Sequence, residues 1–448
     1  IYMIFALSQL PFGSSVFAAR IAAWIAVALT ATLLYCYGRD VLASRLVGAV
    51  AGLLYIAYSV SNVGLAANTE IFFTPFVVLG FYLLLAKGAW ETGAHRPRGW
   101  LFVVVGLCLG CSLQVKYVTV FDLLGAMLIL LFLSWAKGSG SRASLAAGVW
   151  RCILLLAGAA FTFLVPAAAF WWTGHFPEYA YANFTANWIH SSDASLSVFS
   201  FARLMAGQLK TNLLPWCAVL LVPPFLMIYR RYHPAAVRDL GVLSCWLAFG
   251  MLGVVFTRRV NLHNFLQVLP QLCLIGSYVT VFAIGAGGSL DRKRRAFLTL
   301  LVVFLGAFRP LYDSARAVLA PLDAEASAGM NDTPAHLARY LKGKIGPGES
   351  LYMVDSDPIV YHLLGLNGPT RFVLPPYLID DHFAKVAGID PLQELDHIMH
   401  SRPTYVAVMD RERDTPFYGL LREHLRTDYR EETQVDGVFL YRRTSRAP

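Results

Sequence analysis

Five ionisable side chains lie at the ends of apolar stretches: Glu70, Lys116, Arg258, Arg259 and His263. Arg259 and His263 are four residues apart, so a helical turn would put them on one face. A guanidinium suits two-point recognition of a phosphate, and an ammonium adds a point charge. An imidazole can donate to a phosphate or ligate a divalent metal. Glu70 could serve as a general base, a metal ligand or a partner for a cation. Together these types could hold an anionic leaving group and accept a proton. Plainer roles compete: headgroup contact for the cations, and for Glu70 a helix N-terminal acid with Asn68 or Thr69 as cap.

The elements that must position these groups are membrane spans. The chain has 448 residues, of which 57% are hydrophobic and 15% charged, against roughly a quarter charged in a soluble domain. The expected fold class is an α-helical polytopic membrane protein with a C-terminal extracytoplasmic α/β domain. Apolar runs recur at 16–37, 45–60, 71–86, 100–115, 117–135, 148–172, 211–229, 240–256, 264–284 and 296–309, which gives about ten transmembrane helices. The net charge of +9 comes from short basic clusters between these runs, which argues against nucleic acid as a partner. Seven cysteines all fall in apolar stretches, and Cys108 and Cys111 read as packing residues despite their CxxC spacing.

Basic clusters at Arg39 and Arg45, at Lys87, Arg96 and Arg98, at Lys137 and Arg142, at Arg230, Arg231 and Arg238, and at 292–295 fall in every second loop. Those loops are expected to be cytoplasmic. Glu70, Lys116, Arg258, Arg259 and His263 then share the opposite face, where cations need a reason. The long outer loop 173–210 mixes aromatic and polar residues, as an interfacial helix would. Residues 1–312 read as the bundle and 313–448 as the soluble α/β domain. In that domain strand-like runs lie at Leu351–Val354, Tyr405–Met409 and Val438–Tyr441, and helix-like runs at 391–400 and 416–425. Asp355–Ser356–Asp357 looks like an acidic metal motif, but a helix-capping role at a strand-to-helix turn fits it better.

On these residues the chain resembles a family. Leu262–His263–Asn264–Phe265–Leu266–Gln267–Val268–Leu269–Pro270 resembles the H-Y-F-L-Q-L-L-P run of bacterial GT-C type integral-membrane glycosyltransferases, the relatives of protein O-mannosyltransferases and aminoarabinose transferase. Gly13 through Arg20 resembles their G-x-S-x-F-A-x-R stretch, Asn68–Thr69–Glu70–Ile71–Phe72 an acidic outer-loop segment, and Tyr181 to Asn187 a later aromatic-Asn stretch. Asn264 stands where the family has Tyr. The family also carries a catalytic Asp between its first two transmembrane helices, which is expected upstream of Ile1, so the first helix and first outside loop are expected to be missing here.

The resemblance implies transfer of a sugar from a polyprenyl-phosphate carrier to a lipid, glycan or protein acceptor, with inversion, at the outer face of a bacterial cytoplasmic (inner) membrane. The sugar would be a hexose or a pentose. Glu70 would be the catalytic carboxylate here, and Lys116, Arg258, Arg259 and His263 would hold the lipid phosphate. Glu70 with His263 would make a partial site for a divalent metal. Two other classes compete: a transporter or flippase of lipid-linked sugars, and a non-catalytic membrane assembly protein. A transporter would carry its ionisable groups near the bilayer midplane, whereas here they cluster at one face.

Overall fold

The structure is a computed structural model that describes residues 2–12, 16–62, 67–89, 98–137, 140–192, 197–256, 260–286, 291–319, 333–346 and 348–444. Two compact units emerge. One comprises residues 1–11, 17–176 and 194–319, and the other 12–16, 177–193 and 320–448.

The first unit is all helical. In chain order its main helices are α1 (Tyr2–Phe12), α2 (Val16–Asp40), α3 (Arg45–Ser61), α4 (Thr69–Leu83), α5 (Gly99–Val115), α6 (Val120–Lys137) and α7 (Arg142–Trp172). After α8 (Phe176–Ala180) and α9 (Ala186–Ser192), which fall in the second unit from Pro177 on, come α10 (Val198–Thr211), α11 (Leu213–Leu220), α12 (Val222–Tyr229), α13 (Pro234–Phe256), α14 (Leu269–Ala286) and α15 (Arg292–Leu319). Every apolar run read from the sequence is helical. Among the described residues, six helical segments are long and apolar enough to cross a membrane, beginning at Ala18, Thr69, Tyr117, Arg142, Pro234 and Lys293. Three shorter apolar helices, Arg45–Val60, Gly99–Val115 and Leu269–Gly285, lie among them.

Two local departures have simple causes. The run 211–229 is two helices, because Pro223 and Pro224 lack the N–H groups that would continue the first. The opening residues, which show no start signal, still form the 11-residue α1 on apolar content alone. Serine side chains start three helices: Ser44 accepts from Val47 N at 3.3 Å, Ser141 from Ser144 N at 3.2 Å and Ser197 from Ser200 N at 3.0 Å.

The outward faces are inverted relative to a water-soluble bundle. On α6 the buried side carries Leu123, Ala126, Leu130 and Leu133, while Leu124, Leu128, Phe132 and Trp135 are exposed. Those four recur at helical spacing, so one whole face is apolar and uncovered, which is what lipid would solvate. The protein is a multi-pass membrane protein.

Close packing of α5 on α7 is set by small residues. A Cβ on Gly106 would lie 2.0 Å from the Leu155 carbonyl oxygen, and one on Gly158 would lie 2.1 Å from that of Val103. Only hydrogen fits there, and the two backbones meet directly.

The second unit carries a four-stranded sheet in the order β1-β2-β4-β3, with β1 Leu351–Met353, β2 Tyr405–Val408, β3 Tyr429–Val435 and β4 Val438–Arg443. β1 and β2 are parallel, and the other neighbours antiparallel. Both faces of β2 are covered. Val406 and Val408 pack with Leu395, Ile398 and Leu421 from helices 391–400 and 416–428, while Tyr405 and Ala407 pack with Leu337, Leu341 and Leu440. The three strand-like runs are all strands. β3 escaped the sequence reading because Tyr429–Val435 is a polar edge strand without apolar alternation. Its hairpin turn, Asp436–Gly437, has positive φ at both residues, 47° and 86°.

The acidic triplet is structural. Asp355 accepts from Met409 N at 2.6 Å, Asp410 N at 2.8 Å and the Tyr418 hydroxyl at 2.8 Å, while Asp357 accepts from Ile359 N at 3.1 Å. Residues 177–193, read from sequence as an outer loop, pack with this unit: the Tyr181 hydroxyl donates to the Val386 carbonyl at 3.1 Å. The composition change near residue 312 falls inside α15, which continues to Leu319.

The contact of α5 with α7 is tested by Gly106→Ala, which should destabilise the detergent-solubilised protein by about 2 kcal/mol in thermal unfolding. Gly241→Ala, where an added Cβ meets nothing within 4 Å, should be neutral or stabilising by up to about 1 kcal/mol. Equal melting temperatures for the two variants would contradict this packing.

Candidate functional site

Glu70 is the second residue of α4, and the chain reaches it through a tight corner. Ala67 takes the left-handed conformation (φ 53°), which is uncommon for a residue with a Cβ. Asn68 is extended at the N-cap position, with no side-chain capping bond, and the Thr69 hydroxyl donates instead to Glu70 Oε2 at 3.0 Å. Neither residue therefore caps through its side chain as the sequence suggested. Glu70 itself is only 1% exposed. A buried carboxylate needs compensation. It receives some from the positive end of the α4 dipole and more from Lys116, whose ammonium donates to Glu70 Oε1.

Lys116 is placed by a helix break. α5 stops because Lys116 is extended (φ −154°, ψ 123°), and the chain continues through a short 3-10 turn, Tyr117–Thr119, into α6. The break is clasped from both sides. Lys116 N donates to the Ser112 carbonyl at 3.0 Å, the Thr119 hydroxyl to the Lys116 carbonyl at 3.1 Å, and the Ser112 hydroxyl to Thr119 Oγ1 at 3.0 Å. The lysine stem thus leaves the end of one apolar helix and reaches the start of another.

His263 lies in a third such junction, the 3-10 turn Leu262–Gln267 between α13 and α14, and is half-buried. Burial lowers its imidazole below the ordinary histidine value; the Glu70 carboxylate opposes that shift and the Lys116 ammonium reinforces it. His263 is therefore within the electrostatic reach of both. The shift favours the neutral imidazole, in which one ring nitrogen donates and the other accepts.

Of the five residues singled out in the sequence, the structure brings Glu70, Lys116 and His263 together. Arg258 and Arg259 lie outside the described residues. Glu70 Oε1 is taken by the Lys116 ammonium, and among the described residues no group of three or more His, Cys, Asp or Glu could hold a metal ion.

Sequence reasoning missed a second polar layer. Asp122, a fully buried residue of α6, accepts from Gln267 Nε2 at 2.9 Å and from Trp246 Nε1 at 3.1 Å. The signal was a lone acid near the start of an apolar run, a kind of residue worth pursuing in a membrane protein. Gly253 of α13 makes room for this layer, since a Cβ there would lie 2.6 Å from Gln267 Nε2.

The chain shares its overall fold with solved structures of ArnT. Residues 1–174 match the family model of dolichyl-phosphate-mannose-protein mannosyltransferase. The crystal structure of ArnT from Cupriavidus metallidurans bound to undecaprenyl phosphate superposes with a TM-score of 0.63 at 15% identity, covering 99% of this chain and 87% of that one. Its apo state gives 0.60 at 14% identity, covering 98% and 86%. No curated protein matches the sequence.

The buried ion pair makes a stability prediction. Lys116→Met leaves the Glu70 carboxylate without its cation and should cost about 3 kcal/mol. Adding Glu70→Gln should recover most of that loss. Thermal unfolding in detergent measures both, and additive losses in the double variant would show that the two residues are not coupled.

Proposed function

We propose that this protein is a polyprenyl-phosphate-sugar-dependent glycosyltransferase acting at the outer face of a bacterial cytoplasmic membrane. The observation that carries the proposal is the convergence of Glu70, Lys116 and His263 at three junctions between apolar helices. An acceptor hydroxyl or amine attacks the anomeric carbon, the bond from that carbon to the carrier phosphate breaks, and the lipid phosphate leaves with its charge. The configuration inverts because attack and departure occur on opposite faces of the sugar. Lys116 stabilises the leaving phosphate electrostatically, where fixed charge is most effective. His263, neutral, donates one N–H to the same group. In the sequence Arg258 and Arg259 stand five and four positions before His263, and the resemblance assigns them to the lipid phosphate as well.

Glu70, paired with Lys116, can accept the proton of the acceptor once the ammonium turns to the phosphate. The ion pair also favours a second role, in which Glu70 only holds Lys116 in place. The sugar is a hexose or a pentose, and the acceptor a lipid, glycan or protein. Transport of lipid-linked sugars is the weaker reading. Of the ionisable side chains within the spans, Asp122 has both oxygens engaged by neutral donors, and Arg151 donates to the Ser134 hydroxyl at 3.2 Å.

The test gives purified protein radiolabelled polyprenyl-phosphate sugars and measures transfer. Glu70→Gln should lower kcat by about 100-fold or more with donor KM unchanged if Glu70 is the base. It should raise donor KM if Glu70 only holds Lys116. Transfer at the parental rate in the double variant Glu70→Gln, Arg258→Ala would sink the site assignment.

A further inference from the structure

The base of the Leu262–Gln267 turn is gripped by a carboxylate that the chemistry above does not use. Asp122 Oδ2 accepts from Gln267 Nε2 at 2.9 Å, and Oδ1 from Trp246 Nε1 at 3.1 Å. Gln271, in the first turn of α14, is oriented to donate its amide nitrogen to the carbonyls of Gln267 at 3.2 Å and Val268 at 3.0 Å, and its oxygen, 2.8 Å from Trp246 Nε1, shares the single indole N–H with Asp122 Oδ1. Side chains from α6 and α14 therefore close on Gln267, Asp122 at its amide and Gln271 at its carbonyl, and Trp246 of α13 links the two. Gln267 is 3% exposed and Gln271 fully buried.

A general packing role does not account for this arrangement. Apolar residues of similar size would join the same helices without desolvating a carboxylate. What a carboxylate with two fixed donors adds is direction. The element it holds needs direction, because a 3-10 turn has weaker internal hydrogen bonds than an α-helix. His263 lies in that same turn, four residues before Gln267. A Cβ at Gly253 would lie 2.6 Å from Gln267 Nε2, so a side chain there would displace the amide.

We infer that Asp122 is a positioning residue: through Gln267 it fixes the Leu262–Gln267 turn so that His263 stays beside Glu70 and Lys116. The kinetic consequence rests on the glycosyltransferase reading; the placement of the imidazole does not.

The test uses the full chain with 13C-labelled histidine, reconstituted in nanodiscs. The His263 signal is assigned by its loss in His263→Gln and then followed as pH changes. The charged groups described as acting on His263 are Glu70 from α4 and Lys116 from the end of α5. In Asp122→Leu, Gln267 Nε2 loses its acceptor while Trp246 keeps Gln271. The His263 titration should then move up toward the ordinary histidine value as the turn loosens into water. Transfer from a polyprenyl-phosphate sugar should fall by about 100-fold, as a misplaced group costs. The exchanged pair Asp122→Asn with Gln267→Glu keeps one carboxylate and one amide in contact. It should restore both the titration and the rate to within about threefold.

Should Asp122→Leu fail to fold, Gln267→Leu supplies the same two readouts. A folded Asp122→Leu or Gln267→Leu protein with parental His263 titration and parental transfer overturns the inference. If the parent itself transfers nothing, the functional reading fails, and the titration still decides whether Asp122 positions His263.

Discussion

A carboxylate that is almost wholly buried at the start of an apolar helix must find a cation, and in this protein that requirement ties the bundle together. Glu70 is supplied by Lys116, which lies at the far end of a different helix. For the two to meet, α5 must break at Lys116 and α4 must start one residue before Glu70. The left-handed Ala67 and the clasp of Ser112 with Thr119 are the local means to those ends. Removing either partner leaves the other in an environment that cannot solvate it. The pair is thus a constraint on the fold before it is a device for chemistry.

The same junctions that satisfy this constraint also gather function. Membrane helices place their irregular backbone at their ends, where polar groups can be satisfied. Glu70, Lys116 and His263 each occupy such an end. Beneath them Asp122, Gln267, Trp246 and Gln271 form a neutral-donor layer that determines how the His263 turn sits on the bundle. Outside, α6 and its neighbours turn apolar faces to the surroundings. Between α5 and α7 the glycines allow backbone contact, so the helices carrying the site have little freedom to slide.

Much of this was legible in the sequence, and the exceptions have physical reasons. Apolar runs announce helices directly, because length and composition alone decide whether a segment can span. Glu70 and Lys116 were visible because charge is rare among such runs. Their pairing was not visible, since 46 positions separate them and no local pattern encodes a tertiary contact. Asp122 and Gln267 looked like an ordinary acid and amide until the fold set them 2.9 Å apart. In the second unit β3 was hidden by its polar, edge-strand composition, though the Asp436–Gly437 turn beside it was a readable hairpin signal. Asp355 shows the converse case, an acid that suggested metal chemistry and instead ties β1 to the loop after β2.

The central claim is that the Glu70–Lys116–His263 cluster receives the phosphate of a polyprenyl carrier. Equilibrium binding of undecaprenyl phosphate to the nanodisc-reconstituted protein tests it most directly, comparing the parent with Lys116→Met at equal folded fraction. The account predicts an affinity at least about tenfold weaker in the variant, the loss of roughly one charge-assisted contact. Equal affinity in the two proteins would contradict it.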